Sequence, residues 1–341
     1  MMNRRPCIAI IGCGAVTERG HLPAALRLDR GQVTALVDKN RSRAQELAGR
    51  FGVPHVATDY TQVFDQVDAA IVALPHYLHA PVSIDFLKRG IHVLVEKPLA
   101  LNVAECDAMI EAAQQGGATL AVGIMRRFLP SYQFVKALVG TDFLGRIDSF
   151  DIQEGFVYKW PVASDFFFRK ETAGGGVLID AGAYTMDAVQ YWFGDYKSLE
   201  YLDDNMGGVE ANCEIHLQME DGIRGYIELS RTRDLRNSAI IRGERGAIEV
   251  SLHTSRVSIY PNGLDTTVVG SVLEAQTIAS KGESLVDLLK AELEDWIEAI
   301  MGKTQPRVPG EEGRKSVALI EACYKNRKPL ELPWLLPKLS E

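Results

Sequence analysis

Lys97 and Tyr184 are side chains that could move a proton between them, and Asp180 lies four residues before the tyrosine at a position suited to capping. Lys97 follows the apolar run His92–Val95 within the stretch Glu96-Lys97-Pro98-Leu99-Ala100. Such a run reads as a strand buried on both faces. A strand of that kind delivers the residues after it to the carboxyl edge of a parallel sheet, where open α/β folds bind ligands. Pro98 stiffens the backbone just past the amine. Asp180 and Tyr184 lie in a second dense stretch, which begins with Gly174-Gly175-Gly176 and ends at Asp187. Residues 182–193 read as a helix, and the four-residue spacing lets Asp180 and Tyr184 face one side. A phenol titrates near ~10 and a lysine near ~10.4 in isolation, so neither alone is a good base at neutral pH. Held together, an ammonium lowers a neighbouring phenol's pKa. Tyr184 is then expected to be the proton donor and acceptor, with Lys97 tuning it and polarising the reacting oxygen. The reverse assignment is also open, because a coupled pair shares its titration. The plain structural alternative is a solvated lysine, an aspartate cap and a half-buried tyrosine.

A proton-moving pair at a sheet edge needs something to accept or supply a hydride. Cys7–Ile11 is a buried-strand pattern followed by Gly12-Cys13-Gly14-Ala15-Val16-Thr17. Glycines in such a turn let a pyrophosphate approach backbone N–H groups. Thr17 stands where a third glycine or alanine is usual. Asp38 ends the next apolar strand, about 20 residues on, where an acid binds the ribose 2′-hydroxyl. A carboxylate there repels a 2′-phosphate, so NAD is expected over NADP. Lys39 and Arg41 beside it pull the other way, which leaves NADP open. The expected cofactor contacts from these strand ends are Gly12, Cys13, Gly14, Ala15, Val16, Asp38, Lys39, Leu74, Glu96 and Lys97.

The elements that must position these groups follow from periodicity. Strand-like runs recur at 33–37, 69–74, 92–95 and 119–124, with helical stripes at 43–51, 81–88 and 103–113 between them. Alternating strand and helix predicts a parallel sheet with right-handed crossovers. After about residue 127 the pattern changes to strict alternation, at 146–154 and 211–219, with Asp221-Gly222 turning the second run into 223–230. Asp-Gly between alternating runs marks a hairpin. Glu244-Arg245-Gly246 marks another, between 239–242 and 248–251. Two late helices are expected at 284–301 and 311–326, and a short strand at 328–333. The expected fold class is α/β: a Rossmann dinucleotide-binding domain over 1–126, then an α+β domain over 127–341 with a large, mostly antiparallel open sheet. One face of that sheet would be free to pack a second copy, so a homodimer or homotetramer is expected.

Composition narrows the partners. With 24% charged residues and a net charge of −8, no basic patch is evident, which disfavours nucleic acid and anionic membranes. The five cysteines are scattered and form no C-x-x-C pair, so no zinc site is expected and a reducing compartment is. Arg4-Arg5 is followed by an apolar run too short for an export signal, and no run approaches a membrane span. A cytoplasmic protein is expected. His76 and His79 lack suitably spaced partners for a metal and read as helix-start histidines contacting backbone or cofactor. Tyr158, Trp160 and Phe166-Phe167-Phe168 are candidates for a pocket wall or simply core.

In combination, the turn at Gly12, the Glu96-Lys97-Pro98 tripeptide and the run from Gly174 to Asp187 resemble the glucose–fructose oxidoreductase/inositol dehydrogenase/MocA family. Pro75 with His79, Arg127-Phe128 and Phe168-Arg169 are smaller matches. The resemblance implies that Lys97 is the active-site lysine and that Asp180 is a substrate-hydroxyl ligand. It also implies that Pro75, His79, Arg127 and Arg169 lie near the cofactor. The family often has histidine where this chain has Tyr184, which disfavours a cyclitol dehydrogenase of the histidine type. The implied activity is NAD(P)-dependent hydride transfer to or from a sugar, sugar derivative or cyclitol. Two other outcomes are compatible with the same motifs: a glycosidase that oxidises its substrate transiently with bound NAD, and a non-catalytic sugar- or nucleotide-sensing regulator.

Overall fold

A computed structural model of the protein describes residues 4–161, 165–262, 273–276 and 284–331, the third of these segments as backbone alone. Six strands, β1 (Cys7–Ile11), β2 (Gln32–Val37), β3 (His55–Ala57), β4 (Ala69–Val72), β5 (His92–Glu96) and β6 (Leu120–Gly123), pair in the order β3-β2-β1-β4-β5-β6. Every pairing is parallel. The strand order reverses between β1 and β4, which opens a crevice at the carboxyl edge between them. Three helices cross over: α1 (Arg41–Phe51), α2 (His79–Leu87) and α3 (Val103–Gly116). Asn40 and Asn102 cap α1 and α3 by accepting from Arg43 N and Glu105 N. Gly52 and Gly117 end them in the left-handed conformation, which an L side chain resists. The turn after β1 does not lead straight into a regular helix. It passes through a π-turn, Thr17–His21, into a four-residue helix, Leu22–Ala25, with Pro23 in its first turn.

The second sheet contains β7 (Ile147–Gly155), β8 (Tyr196–Asp203), β9 (Asn212–Met219), β10 (Arg224–Ser230), β11 (Ser238–Gly243), β12 (Gly246–Ser251), β13 (Arg256–Pro261), β14 (Leu273–Gln276) and β15 (Arg327–Pro329). Their order is β14-β13-β12-β11-β7-β10-β9-β8-β15. The pairings are antiparallel except β10 with β7 and β15 with β8. The expected hairpins form, with Gly222 at φ +85° in one and Gly243 paired to Gly246 in the other. The last expected strand falls at β15, and positions 332 and 333 lie outside the described residues.

Four further helices hold the layers together: α4 (Pro130–Val139), α5 (Gly182–Phe193), α6 (Leu285–Ile300) and α7 (Gly310–Lys325). On the second sheet, the inward alternation of β9 (Cys213, Ile215, Leu217, Met219) packs with α5, where Phe193 stacks on Phe150 at 4.5 Å. The first sheet buries both faces. Ala9, Ile11, Val72 and Val95 meet one group of helical side chains, and Ile8, Ile10, Ile71 and Leu94 meet another. Much of that second group comes from α6 near the end of the chain: Leu289, Leu293, Trp296 and Ile297. Helix α7 bridges the layers, with Val317 against the first sheet and Leu319, Ile320 and Cys323 in the core of the second. Among the described residues, no helix is long and apolar enough to cross a membrane.

Candidate active site

At the β1–β4 crevice, Gly12 adopts φ +104°, and a Cβ there would lie 2.2 Å from the Ala73 carbonyl oxygen. Only glycine lets the turn pass so close to the end of β4. Gly14 is the opposite case: a Cβ built on it meets no heavy atom within 4 Å. Open space beside exposed backbone N–H groups is what a pyrophosphate needs. Asp38, at the end of β2, accepts hydrogen bonds from Cys13 N and Asn40 N, both 2.8 Å, so its carboxylate is fixed against the turn. Ala15, Val16, Leu74 and Pro75 are half-buried around it, and Lys39 is exposed. The residues at this edge fit a dinucleotide.

Beside the turn, β5 ends in Glu96 and Lys97, and the Lys97–Pro98 peptide is cis. Lys97 Nζ donates to Asp180 Oδ1 at 2.7 Å and to the Asp180 carbonyl oxygen at 3.1 Å. Asp180 Oδ2 accepts from Arg231 at 2.8 Å. Asp180 therefore lies between two cations and does not cap α5. Burial alone would raise its carboxyl, but Lys97 and Arg231 outweigh that and hold it well below the usual carboxylate range. His79 is immobilised by facing the Pro98 and Leu74 carbonyls at 2.7 and 2.8 Å. His76 meets the Ala173 carbonyl at 2.8 Å, and burial, reinforced by His79, pulls it down to about 3. It is a neutral, fixed imidazole.

Tyr184 arrives from α5. Lys97 Nζ lies 5.2 Å from its ring centroid, and the Arg126 guanidinium lies 4.5 Å from it. Residues 87 positions apart in sequence thus share one site. Their electrostatic relation differs from the one expected. The phenol is held well above its ordinary value, first by burial and then by Glu96, with Glu292 and Asp180 adding to it and Arg126 opposing. Asp180 has taken up the lysine's charge, so Tyr184 is a neutral donor rather than an incipient phenolate.

Several groups at the site carried no clear sequence signal. Arg231 directly follows β10 and is only 8% exposed along its side chain. Arg126 and Glu154 form a buried pair beneath Tyr184, with Thr185 donating to Glu154 at 2.8 Å. His21 meets Glu96 Oε1 at 2.8 Å. Charged residues next to strands are common, and only tertiary contacts show that these are buried.

Other expected positions have different surroundings. Arg127 gives its guanidinium to Asp187, at 2.8 and 2.7 Å, and to Glu312 at 2.9 Å. Arg169 is exposed and paired with Asp165. Trp160 and Phe168 are 40% and 53% exposed, while Phe166 and Phe167 pack edgewise on His76. The three glycines make room for other parts of the protein: a Cβ at Gly174 would press on the Leu101 and Ile179 side chains, one at Gly175 on the Tyr324 hydroxyl, and one at Gly176 would lie 1.8 Å from the Glu210 carbonyl oxygen. The Glu210 carboxylate in turn accepts from Gly176 N and Leu178 N.

Comparison with known proteins places this geometry in a family. Residues 7–124 match the family model described as an oxidoreductase family with an NAD-binding Rossmann fold, and residues 132–249 match the GFO/IDH/MocA C-terminal domain. Oxidoreductase P35 of Formosa agariphila is 26% identical over 278 residues, which is 77% of this chain and 84% of that protein. D-xylose 1-dehydrogenase (NADP(+)) 2 of Haloferax volcanii is 24% identical over 324 residues, covering 93% and 96%. The crystal structure of aldose-aldose oxidoreductase from Caulobacter crescentus, complexed with glycerol, superposes with a TM-score of 0.83 at 24% identity over 95% of this chain and 97% of that one. With both halves of the chain matched, and with a parallel sheet whose Gly12 turn leaves room for a dinucleotide, this protein is a member of the Gfo/Idh/MocA family of NAD(P)-dependent oxidoreductases.

Proposed function

We propose that this enzyme transfers a hydride between nicotinamide and a carbinol or carbonyl carbon of a sugar, sugar derivative or other polyol, with Lys97 and Tyr184 handling the proton. The observation that carries this reading is the convergence of Lys97, Asp180 and Tyr184 beside the dinucleotide turn. Nicotinamide supplies the hydride acceptor or donor when bound. The chain's own groups do the rest. Lys97, anchored by Asp180, points a fixed ammonium at the reacting oxygen and stabilises negative charge that develops there. Tyr184, kept protonated by burial, donates a hydrogen bond to the same oxygen and gives up its proton as a carbonyl becomes an alkoxide. Asp180 keeps acceptor capacity for a neighbouring hydroxyl, which favours polyhydroxy substrates over simple ketones. The names of two relatives, a xylose dehydrogenase and an aldose oxidoreductase, agree with that class.

Tyr184→Phe is expected to lower kcat by about 10²–10⁴, the usual worth of a general acid, while cofactor still binds. Wild-type turnover in that variant, measured by nicotinamide absorbance across a sugar panel, would remove Tyr184 from the mechanism. Asp38 favours NAD. The expected result is at least about tenfold weaker binding of NADP than NAD by fluorescence titration, since a carboxylate faces the 2′-phosphate. Equal or better turnover with NADP would refute this.

A further inference from the structure

Glu292, in the middle of α6, is 2% exposed, and neither of its carboxylate oxygens has a hydrogen-bond partner. An ionised carboxylate does not persist in that setting without a partner, so the group carries a proton. The charges acting on it are Glu96, across the β5 edge, and Asp295, one turn along the same helix. Both add to burial in raising its carboxyl well above the usual range. Glu96 is differently placed. Burial would raise its carboxyl too, but the His21 hydrogen bond, helped by Lys97 and His79, keeps it below the ordinary value. Two acids near each other are thus held in opposite states, one charged and one neutral.

Two more polar atoms in this region are buried without partners: His21 Nδ1, and Trp296 Nε1 one turn after Glu292. A cavity of about 10 Å³ is bordered by Glu292, Asp295, Trp296, Phe128 and Val308. That is about the room one water needs, and the polar groups lining it suit one. Asp295 lies at the outer side, partly exposed, and accepts from Arg307 N at 2.7 Å. At the inner side, the Met125–Phe128 turn borders the same cavity through Phe128 and carries Arg126, whose guanidinium lies 4.5 Å from the Tyr184 ring centroid. A line of polar and titratable groups therefore runs from Tyr184, at the carboxyl edge of the first sheet, past Arg126 and Glu292 to Asp295 and the surface on the α6 side.

We propose that Glu292 and Asp295 carry protons between the Lys97–Tyr184 site and solvent through the back of the first domain. This route rests on the acid–base roles proposed for Lys97 and Tyr184. When an alcohol is oxidised, its carbon gives a hydride to nicotinamide, its O–H bond breaks, and one proton is left in a site that cofactor and substrate close from the front. Glu292 passes its own proton outward to Asp295 and takes one from the Tyr184 side, and the balance is one proton released per hydride transferred. Reduction runs the same exchange inward. Glu292 touches neither substrate nor cofactor in this scheme; it is a positioning residue that relays a proton.

The test uses the full-length enzyme with NAD. Glu292→Gln is expected to lower kcat at least about tenfold, with KM for cofactor and substrate unchanged and a larger solvent deuterium isotope effect. Asp295→Asn, at a partly exposed position that leaves the core intact, is expected to shift the same quantities in the same direction by less. In the infrared, the wild-type protein at neutral pH should show the carbonyl stretch of a protonated carboxylic acid, sensitive to deuterium oxide and missing in Glu292→Gln. Unchanged kcat and isotope effect in both variants would overturn the route, as would absence of that band in the wild type. If Tyr184→Phe and Lys97→Met lose turnover while both relay variants keep it, the acid–base reading stands and only the route falls. No hydride transfer on any polyol would sink both.

Discussion

Lys97→Met should reduce kcat by about 10²–10⁴ while leaving the fold and the affinity for NAD close to wild type. Methionine keeps the apolar stem and removes the ammonium. It therefore takes away the charge aimed at the reacting oxygen, together with the partner that Asp180 holds at 2.7 Å. Asp180 retains Arg231 at 2.8 Å, so the carboxylate does not become an isolated buried charge and the fold survives. The loss should sit in kcat more than in KM, because the interaction strengthens as negative charge builds on oxygen. Steady-state kinetics on the best sugar of a panel, with cofactor titrated separately, read both quantities. A variant that turns over at the wild-type rate would return Lys97 to the status of a buried ion-pair partner and end the acid–base mechanism.

Arg127→Met should destabilise the protein by about 3–5 kcal/mol, the cost of leaving one member of a buried pair alone. The Arg127 and Asp187 side chains are 4% and 1% exposed, and Glu312 completes the cluster from α7. Burial already holds the Asp187 carboxyl above its usual value despite Arg127. Removing the guanidinium pushes it further up, and Asp187 then takes a proton. A raised folded-state pKa contributes stability that is present below the unfolded value and lost as pH rises through the folded one. The deficit should therefore be smaller at mildly acid pH and grow towards alkaline pH, which thermal melts across that range would show. Arg127→Met with Asp187→Leu should recover much of the loss, since a well-packed apolar pair replaces a buried ionic one at little cost. The opposite pattern, an unchanged melting temperature with weakened NAD binding, would make Arg127 a cofactor contact rather than a structural ion pair.

The sequence made the first sheet legible because parallel strands buried on both faces are continuous apolar runs, as in Cys7–Ile11 and His92–Val95. Strict alternation made β9 legible, and Asp221-Gly222 its hairpin. The residues that meet at the candidate site were legible for a related reason. Gly12, Lys97 and Asp180 sit at element boundaries, where residue type is set by what the backbone must do or face. Burial of charge was not legible. Nothing local separates Arg126 and Arg127, which are buried in ion pairs, from Arg169, which is exposed at 64% of its side chain. Glu292 is the exception: it falls on the apolar stripe of α6, four residues after Leu288 and four before Trp296, whereas Glu294 lies off that stripe.

What the chain determined by itself was the kind of fold and the chemistry on offer, because periodicity and turn residues act over a few positions. The tertiary structure decided which charges meet and which remain alone. It brought α6 from the far end of the chain onto the first sheet, set Arg231 and Lys97 on either side of one carboxylate, and left Tyr184 half-buried where desolvation and the carboxylates around it hold its proton. A side chain's charge state depends on solvent exclusion and on partners distant in sequence, and both exist only once the layers have packed.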